Sequence, residues 1–221
     1  MRIKWSIFLF LTGLILLGHI FLLGQNYDRV KIQTIQLTDN IHALVSRAGG
    51  NVLALNGSEG VVLVDCDMPQ ISKKIADAVK AISDKPVAYV INTHWHFDHV
   101  GGNEYFAKAG AKIIAHANVV SKMKRDQKIG LLNIDVKAAP KLALPTITYD
   151  GKKKILINGE TIEILHIPNA HTNGDSCVIF KEANIIHTGD LVFNRMFPFI
   201  DISSGGNIRG IIKGLKSILA M

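Results

Sequence analysis

The sequence predicts a mixed α/β sandwich built as one domain, and three observations carry that reading. Short β-rich runs bounded by Gly, Asn and Asp recur in both halves of the chain. Stretches with helical periodicity interrupt them, at Pro69 to Ile82 and Asn207 to Met221. The 221 residues, 48% hydrophobic, suffice for one well-buried core and show no composition break that would divide it.

Taken in order after Tyr27, strands are expected at Ile32 to Leu37, Ile41 to Ser46, Val52 to Leu55 and Val61 to Val64. Pro69 suits a first helical turn, and Ile71, Ile75, Ala78, Val79 and Ile82 recur at spacings of three and four, so a helix with one apolar face follows. Val87 to Ile91 reads as a buried strand. Gly101-Gly102 is expected to free the backbone before a short helix from Asn103 to Ala109. Lys112 to Ala115 is another strand, followed by a polar helical stretch from Asn118 to about Lys128 and a loop holding Pro140 and Pro145. Lys152-Lys153-Lys154 is expected at a solvated turn. Ile155 to Ile157 and Thr161 to Leu165 flank Asn158-Gly159, a two-residue hairpin signal that demands positive φ at both positions. Cys177 to Phe180 and Ile185 to Ile186 complete the strands. In the closing helix Ile208, Ile211, Ile212, Leu215, Ile218 and Leu219 fall on one side.

The N-terminus stands apart from this pattern. Trp5 to Gly24 carries no charge, is dominated by Leu, Ile and Phe, and follows Arg2 and Lys4. Residues 1–24 therefore read as a signal or anchor segment and residues 25–221 as the folded domain. The run is long enough to span a bilayer, and neither Leu16/Gly18 nor Leu22/Gly24 makes a small-x-small cleavage site, which favours an uncleaved anchor. The basic flank places the N-terminus in the cytoplasm, so the domain is expected to be exported: periplasmic, or membrane-anchored outside the cytoplasm. Net charge is +7. It is mild, and no aromatic-interleaved basic stripe accompanies it, so a nucleic-acid partner is not expected. Cys66 and Cys177 each lie in an apolar run without metal-binding spacing and read as buried small hydrophobes.

The densest chemical signal is His94-Trp95-His96-Phe97-Asp98-His99, four metal-ligand side chains in six residues directly after an apolar strand. Imidazole and carboxylate without thiolate suit Zn²⁺, and a catalytic zinc takes about three protein ligands and leaves a position for water. His-x-His cannot complete that shell alone. His171, followed by Thr172, is the best distal candidate, and Asp190 in Thr188-Gly189-Asp190 supplies a further carboxylate. Each of these candidates follows a strand, so all fall on one rim.

At these residues the chain resembles the metallo-β-lactamase superfamily, whose pattern is H-x-H-x-D-H, a distal His before Thr, and a Gly-Asp. Gly49 to Leu53 and Gly60 to Asp65 resemble that family's opening strands and first-motif Asp. The resemblance implies the four-layered αββα fold. It implies zinc, two ions per chain, the first held by His94, His96 and His171, the second by Asp98 and His99 with Asp190 bridging. It implies metal-bound hydroxide as nucleophile, with Asp98 orienting it and passing its proton to the leaving group, and a supporting role for Asp65 behind the ligand loops. The family's last ligand, a His in a late Pro-Gly-His-Gly-like loop, has no counterpart here, since no His follows His187. The expectation is thus a family member short at its C-terminal end or one with an altered second site.

The expected function is an exported zinc-dependent hydrolase of an ester, lactone or amide bond in a small-molecule substrate. Two alternatives stand beside it, a true β-lactamase and an inactive, truncated or metal-binding remnant. One antibiotic-hydrolysing subclass has Cys where Asp190 stands and Lys where Phe193 stands, and both departures weigh against that subclass. Phe193, Arg195, Phe197 and Phe199 are candidates for a substrate wall, with Arg195 reaching a substrate carboxylate; ordinary loop packing is the competing reading. His42, His116, His166 and His187 are expected to be hydrogen-bonded structural histidines, and Asp175 a loop cap.

Overall fold

The computed structural model describes residues 26–221. The expected signal or anchor segment, residues 1–24, lies outside the described residues; among these, no helix is long and apolar enough to cross a membrane. The strands are β1 (Gln33–Gln36), β2 (Ile41–Val45), β3 (Val52–Leu55), β4 (Val61–Val64), β5 (Val87–Ile91), β6 (Lys112–His116), β7 (Gln127–Ile129), β8 (Ile134–Val136), β9 (Ile147–Tyr149), β10 (Lys152–Ile157), β11 (Glu160–His166), β12 (Ser176–Phe180) and β13 (Ile185–His187). The helices are α1 (Ser72–Ile82), α2 (Phe97–Val100), α3 (Asn103–Lys108), α4 (Ala117–Met123) and α5 (Ile208–Leu219).

Two sheets make the body. One has the order β1-β2-β3-β4-β5-β6-β9 and the other β10-β11-β12-β13. From β4 through β5 and β6 to β9 the pairing is parallel, which requires crossovers and covers both faces of the central strands. That is why β4 reads Val-Val-Leu-Val without alternation and is buried at every position. Between the sheets lie Ile41, Leu55, Val62, Val64 and Ile114 from one side and Ile162, Ile164, Val178 and Phe180 from the other. The outer face of the first sheet packs Leu63, Val90 and Ile113 against Ile75 and Val79 of α1 and Phe106 of α3. The outer face of the second packs Cys177 and Ile179 against Ile211 of α5. Helix, sheet, sheet, helix is the four-layered αββα sandwich expected from the sequence.

Several expectations change in detail. The helix expected to run from Asn118 to about Lys128 ends at Met123, because Gln127–Ile129 instead pairs with Ile134–Val136 in a small hairpin. Strand β9 had no sequence signal: three residues after Pro145 become a strand only by pairing with β6. Lys152, Lys153 and Lys154 form the first half of β10 rather than a turn, with Lys152 and Lys154 exposed. The Asn158-Gly159 turn has φ of 54° and 74°, as its hairpin type demands. Gly101 and Gly102 are in ordinary right-handed conformation. Gly101 is needed for space, since a Cβ there would meet Pro69 Cδ at 2.4 Å. Of the apolar side chains expected on one side of α5, only Ile211 is fully buried, with Leu215 and Ile218 packed beside it, while Ile208, Ile212 and Leu219 are exposed.

Candidate metal centre

The site begins with two strained aspartates at the end of β4. Asp65 and Asp67 have φ of 61° and 57°, a left-handed conformation uncommon for non-glycine residues and costly unless the surroundings hold it. What holds Asp65 is its carboxylate: Oδ1 accepts from Thr93 N at 2.7 Å, while Oδ2 accepts from Thr93 Oγ1 and from His99 Nδ1, both at 2.7 Å. This one buried side chain therefore anchors both ends of the His94 to His99 segment.

These bonds determine which ring nitrogens carry protons. Thr93 Oγ1 gives its hydrogen to Asp65 and lies 3.1 Å from His94 Nδ1, so it accepts from Nδ1–H and leaves His94 Nε2 with a lone pair. His96 Nε2–H donates to Asp201 Oδ2 at 3.0 Å, leaving Nδ1 bare. His171 Nδ1–H donates to the Phe199 carbonyl at 2.7 Å, leaving Nε2 bare. The three bare nitrogens converge. His96 Nδ1 and His171 Nε2 face each other at 3.0 Å, and His94 Nε2 is buried without any hydrogen-bond partner. The three rings form a triangle with centroids 4.7 Å apart on every side and planes within 10° of perpendicular. Converging lone pairs without a proton among them repel one another, and a cation shared by the three removes that penalty. The donor set fits Zn²⁺.

Burial, then the neighbouring imidazoles, holds His94 well below the usual histidine range. Burial and His96 push His171 down to about 4. Both stay neutral, the form that binds metal.

A second group adjoins the first and shares His94 with it: His94, His99 and Asp190 offer ligand atoms within 4.8 Å of one another. His99 Nε2 stands 3.2 Å from Asp190 Oδ1. Burial pulls the His99 imidazole down, but Asp190, Asp98 and Asp65 outweigh it and raise it well above the usual range. Burial likewise opposes ionisation of Asp190, yet His99 holds its carboxyl below the usual carboxylate range. Of the six residues expected as ligands, five therefore meet in the two groups. Asp98 lies outside both, its Oδ2 3.7 Å from His99 Nε2 and its side chain 29% exposed.

This second group opens into a cleft of about 580 Å³ lined by Gly49, Asn51, Asp98, His99, Asp190 and Phe193, among others. Gly50 lies directly over His99: a Cβ there would meet Cε1 at 2.5 Å. Phe199 lies over the first group, its ring 5.5 Å from His171 and 6.2 Å from His96. Phe193 is 6.3 Å from His171. Arg195 and Phe197, expected as candidates for the same wall, are exposed and do not line the cleft.

The other histidines are settled case by case. His187 uses both ring nitrogens, on the Asn51 carbonyl and Gly189 N, and His166 Nε2 donates to the Asn173 carbonyl. His116 Nδ1 accepts from Asn118 N as the cap of α4. His42 departs from expectation, since its buried Nδ1 has no partner. Asp175 caps the His171 loop by accepting from Thr172 N and Oγ1, with burial pushing its carboxyl up to about 7. Both cysteines are free and buried, as read from the sequence.

Sequence reasoning missed Asp201. It accepts from His96 and from Ser204 N, and its own N–H donates to the His171 carbonyl at 2.9 Å, so it joins the two ligand loops. Trp95 Nε1 donates to Ser204 Oγ, tying the same turn to the His94–His99 segment. A lone Asp in Phe199-Ile200-Asp201-Ile202 has no motif around it, and only the fold brings it to His96.

Fold and site together define a metallohydrolase scaffold. The chain belongs to the metallo-β-lactamase superfamily, whose family model matches residues 45–216 and whose members are generally metal-dependent hydrolases. It is 26% identical to the metallo-beta-lactamase type 2 of Elizabethkingia meningoseptica over 201 residues, 86% of this chain and 72% of that one. It is 30% identical to the hydroxyacylglutathione hydrolase of Pelagibacter ubique over 119 residues, 52% of this chain and 41% of that one. The aligned region spans 40% of the length of one curated relative and 72% of another, with two more at 45% and 41%. A metallo-β-lactamase structure from Cronobacter sakazakii superimposes with a TM-score of 0.72 at 16% identity, covering 89% of this chain and 78% of that one. This shows the shared αββα fold.

Proposed function

We propose that this chain is an exported, zinc-dependent hydrolase that cleaves an ester, lactone or amide bond of a small-molecule substrate. The observation that carries the reading is the convergence of the three unprotonated imidazole nitrogens of His94, His96 and His171, each ring held from behind by a hydrogen bond. These residues would hold the first ion, and His99 and Asp190, with Asp98 beside them, the second. Bound there, zinc supplies Lewis acidity toward an acyl oxygen and acidifies water. The chain's own residues do the rest. Asp201 and Asp65 hold the imidazoles at fixed orientation, which lowers the reorganisation needed during reaction. Asp98 faces the cleft with its carboxylate partly exposed, placed to take a proton at Oδ2 and return it to the leaving group. Phe199 shields the first group from water. Export rests on the uncharged run from Trp5 to Gly24 behind Arg2 and Lys4.

β-Lactam hydrolysis is a second reading of the same site, favoured by the match over 86% of this chain to a metallo-beta-lactamase. The test is zinc per chain by elemental analysis on the full chain in detergent, followed by a screen of lactones, esters and β-lactams. About two zincs per chain with turnover on one of these classes supports the proposal. One or none, without turnover, would leave a metal-binding remnant in its place.

A further inference from the structure

A second cavity lies behind the histidine loop and contains none of the six ligand candidates. It measures about 240 Å³ and is lined by Trp95, Phe97, Val100, Met123, Val136 and Pro140, among others. Phe97 and Val100 of α2 line it, whereas Asp98 and His99 of the same helix line the metal cleft, so α2 separates the two spaces. Its walls are apolar, with Trp95 and Met123 2% and 4% exposed. The volume is below the roughly 300–1,000 Å³ of drug-sized sites and selects a small ligand.

The charges at its mouth are unequal. Glu104 is paired with Lys108 at 2.7 Å and Lys137 with Asp126 at 2.7 Å, so these four cancel. Lys122 and Arg125, at the end of α4, have no carboxylate partner among the described residues. The Gln127 amide, which also lines the mouth, is spent on the Lys122 and Arg125 carbonyls and holds their backbone in place. An apolar chamber with two uncompensated cations at its entrance matches a molecule with a hydrocarbon body and one anionic end.

We propose that this pocket binds a small apolar monoanion, its hydrocarbon against Trp95, Met123 and Val136 and its carboxylate between Lys122 and Arg125.

Trp95 is the built-in reporter. The chain has two tryptophans, Trp5 and Trp95, so Trp5→Phe in the full-length protein leaves only the one in the pocket wall. Titration with octanoate should change Trp95 emission saturably, and 1-octanol, with the same tail and no charge, should bind more weakly. The surface double variant Lys122→Met/Arg125→Met should raise the octanoate Kd about tenfold or more, the loss of one charge-assisted contact, and leave octanol unchanged. Arg125→Glu, a single exposed change, should weaken octanoate in the same direction. Because a carboxylate also ligates zinc, the titration is repeated after chelation, and retained binding supports the pocket. A response lost on chelation would place octanoate at the metal centre and overturn the proposal. So would the absence of saturation, equal affinity for octanol and octanoate, or indifference to both charge variants.

Discussion

The two ligand groups of this site differ in what holds them. In the first, His94, His96 and His171 are 1%, 4% and 0% exposed, and each ring is fixed from behind by Thr93, Asp201 or the Phe199 carbonyl. In the second, His99 is as buried and is fixed by Asp65, but Asp190 has a side chain 25% exposed and faces the cleft, as does Asp98 beside the group, 29% exposed. The first group is preorganised by the interior of the fold. The second is half open to solvent, so Asp190 and the neighbouring Asp98 keep the freedom to meet substrate and protons. Under the function proposed above, an ion held by the first group would sit in a rigid, dry cage, and one held by the second would stand at the edge of the cleft.

The sharpest way to break this comparison is His96→Ala. It removes one of three buried lone pairs and should reduce hydrolysis to background while the domain stays soluble, as measured by turnover and circular dichroism. Unchanged turnover would sink the metal mechanism altogether. Next in size is Asp190→Ala, which should lose the second zinc and keep the first; elemental analysis reading zero would show that the groups are not separable. Asp201→Asn keeps the shape but weakens the hold on His96, and should cost about 10- to 100-fold in zinc affinity. Competition with a chelator measures this, and wild-type affinity would mean that burial alone orients the ring.

The smallest effect lies outside both groups and tests the frame behind them. His116 stacks on His166 at 3.6 Å, joining the ends of β6 and β11, and burial and His166 push its pKa down to about 4. A folded-state value below the unfolded 6.5 means that the unfolded chain takes up the proton first as pH falls. This contribution is intact above pH 6.5, is lost progressively toward pH 4, and stays lost below. His116→Gln should flatten that part of the dependence, read as denaturation midpoints at pH 7 and pH 5. The same slope in both proteins would remove His116 as its cause.

Much of the fold was legible because its signals are local. The strands Val52–Leu55, Val61–Val64 and Val87–Ile91, the last buried only at Val90 and Ile91, and the Asn158-Gly159 turn follow from short apolar runs and from turn chemistry. Strand β9 and the hairpin of β7 and β8 were not legible, since three-residue strands exist only through their partners. At the site, His94, His96, His99, His171 and Asp190 were legible from their motif and order. The role of Asp201, the exclusion of Arg195 from the cleft and the unpartnered His42 were not, because each depends on what a side chain meets across more than twenty residues of sequence.

By itself the sequence determined most strands and helices of a mixed sandwich, the rim on which the candidate ligands gather and the donor chemistry they offer, because hydrophobic periodicity and side-chain chemistry are written residue by residue; the four layers followed from the family resemblance. Only the tertiary structure decided which nitrogen of each histidine is bare, which carboxylates face the cleft and which cavity lies behind α2. Protonation and exposure are set by neighbours brought together from distant strands, and a linear pattern does not contain those neighbours.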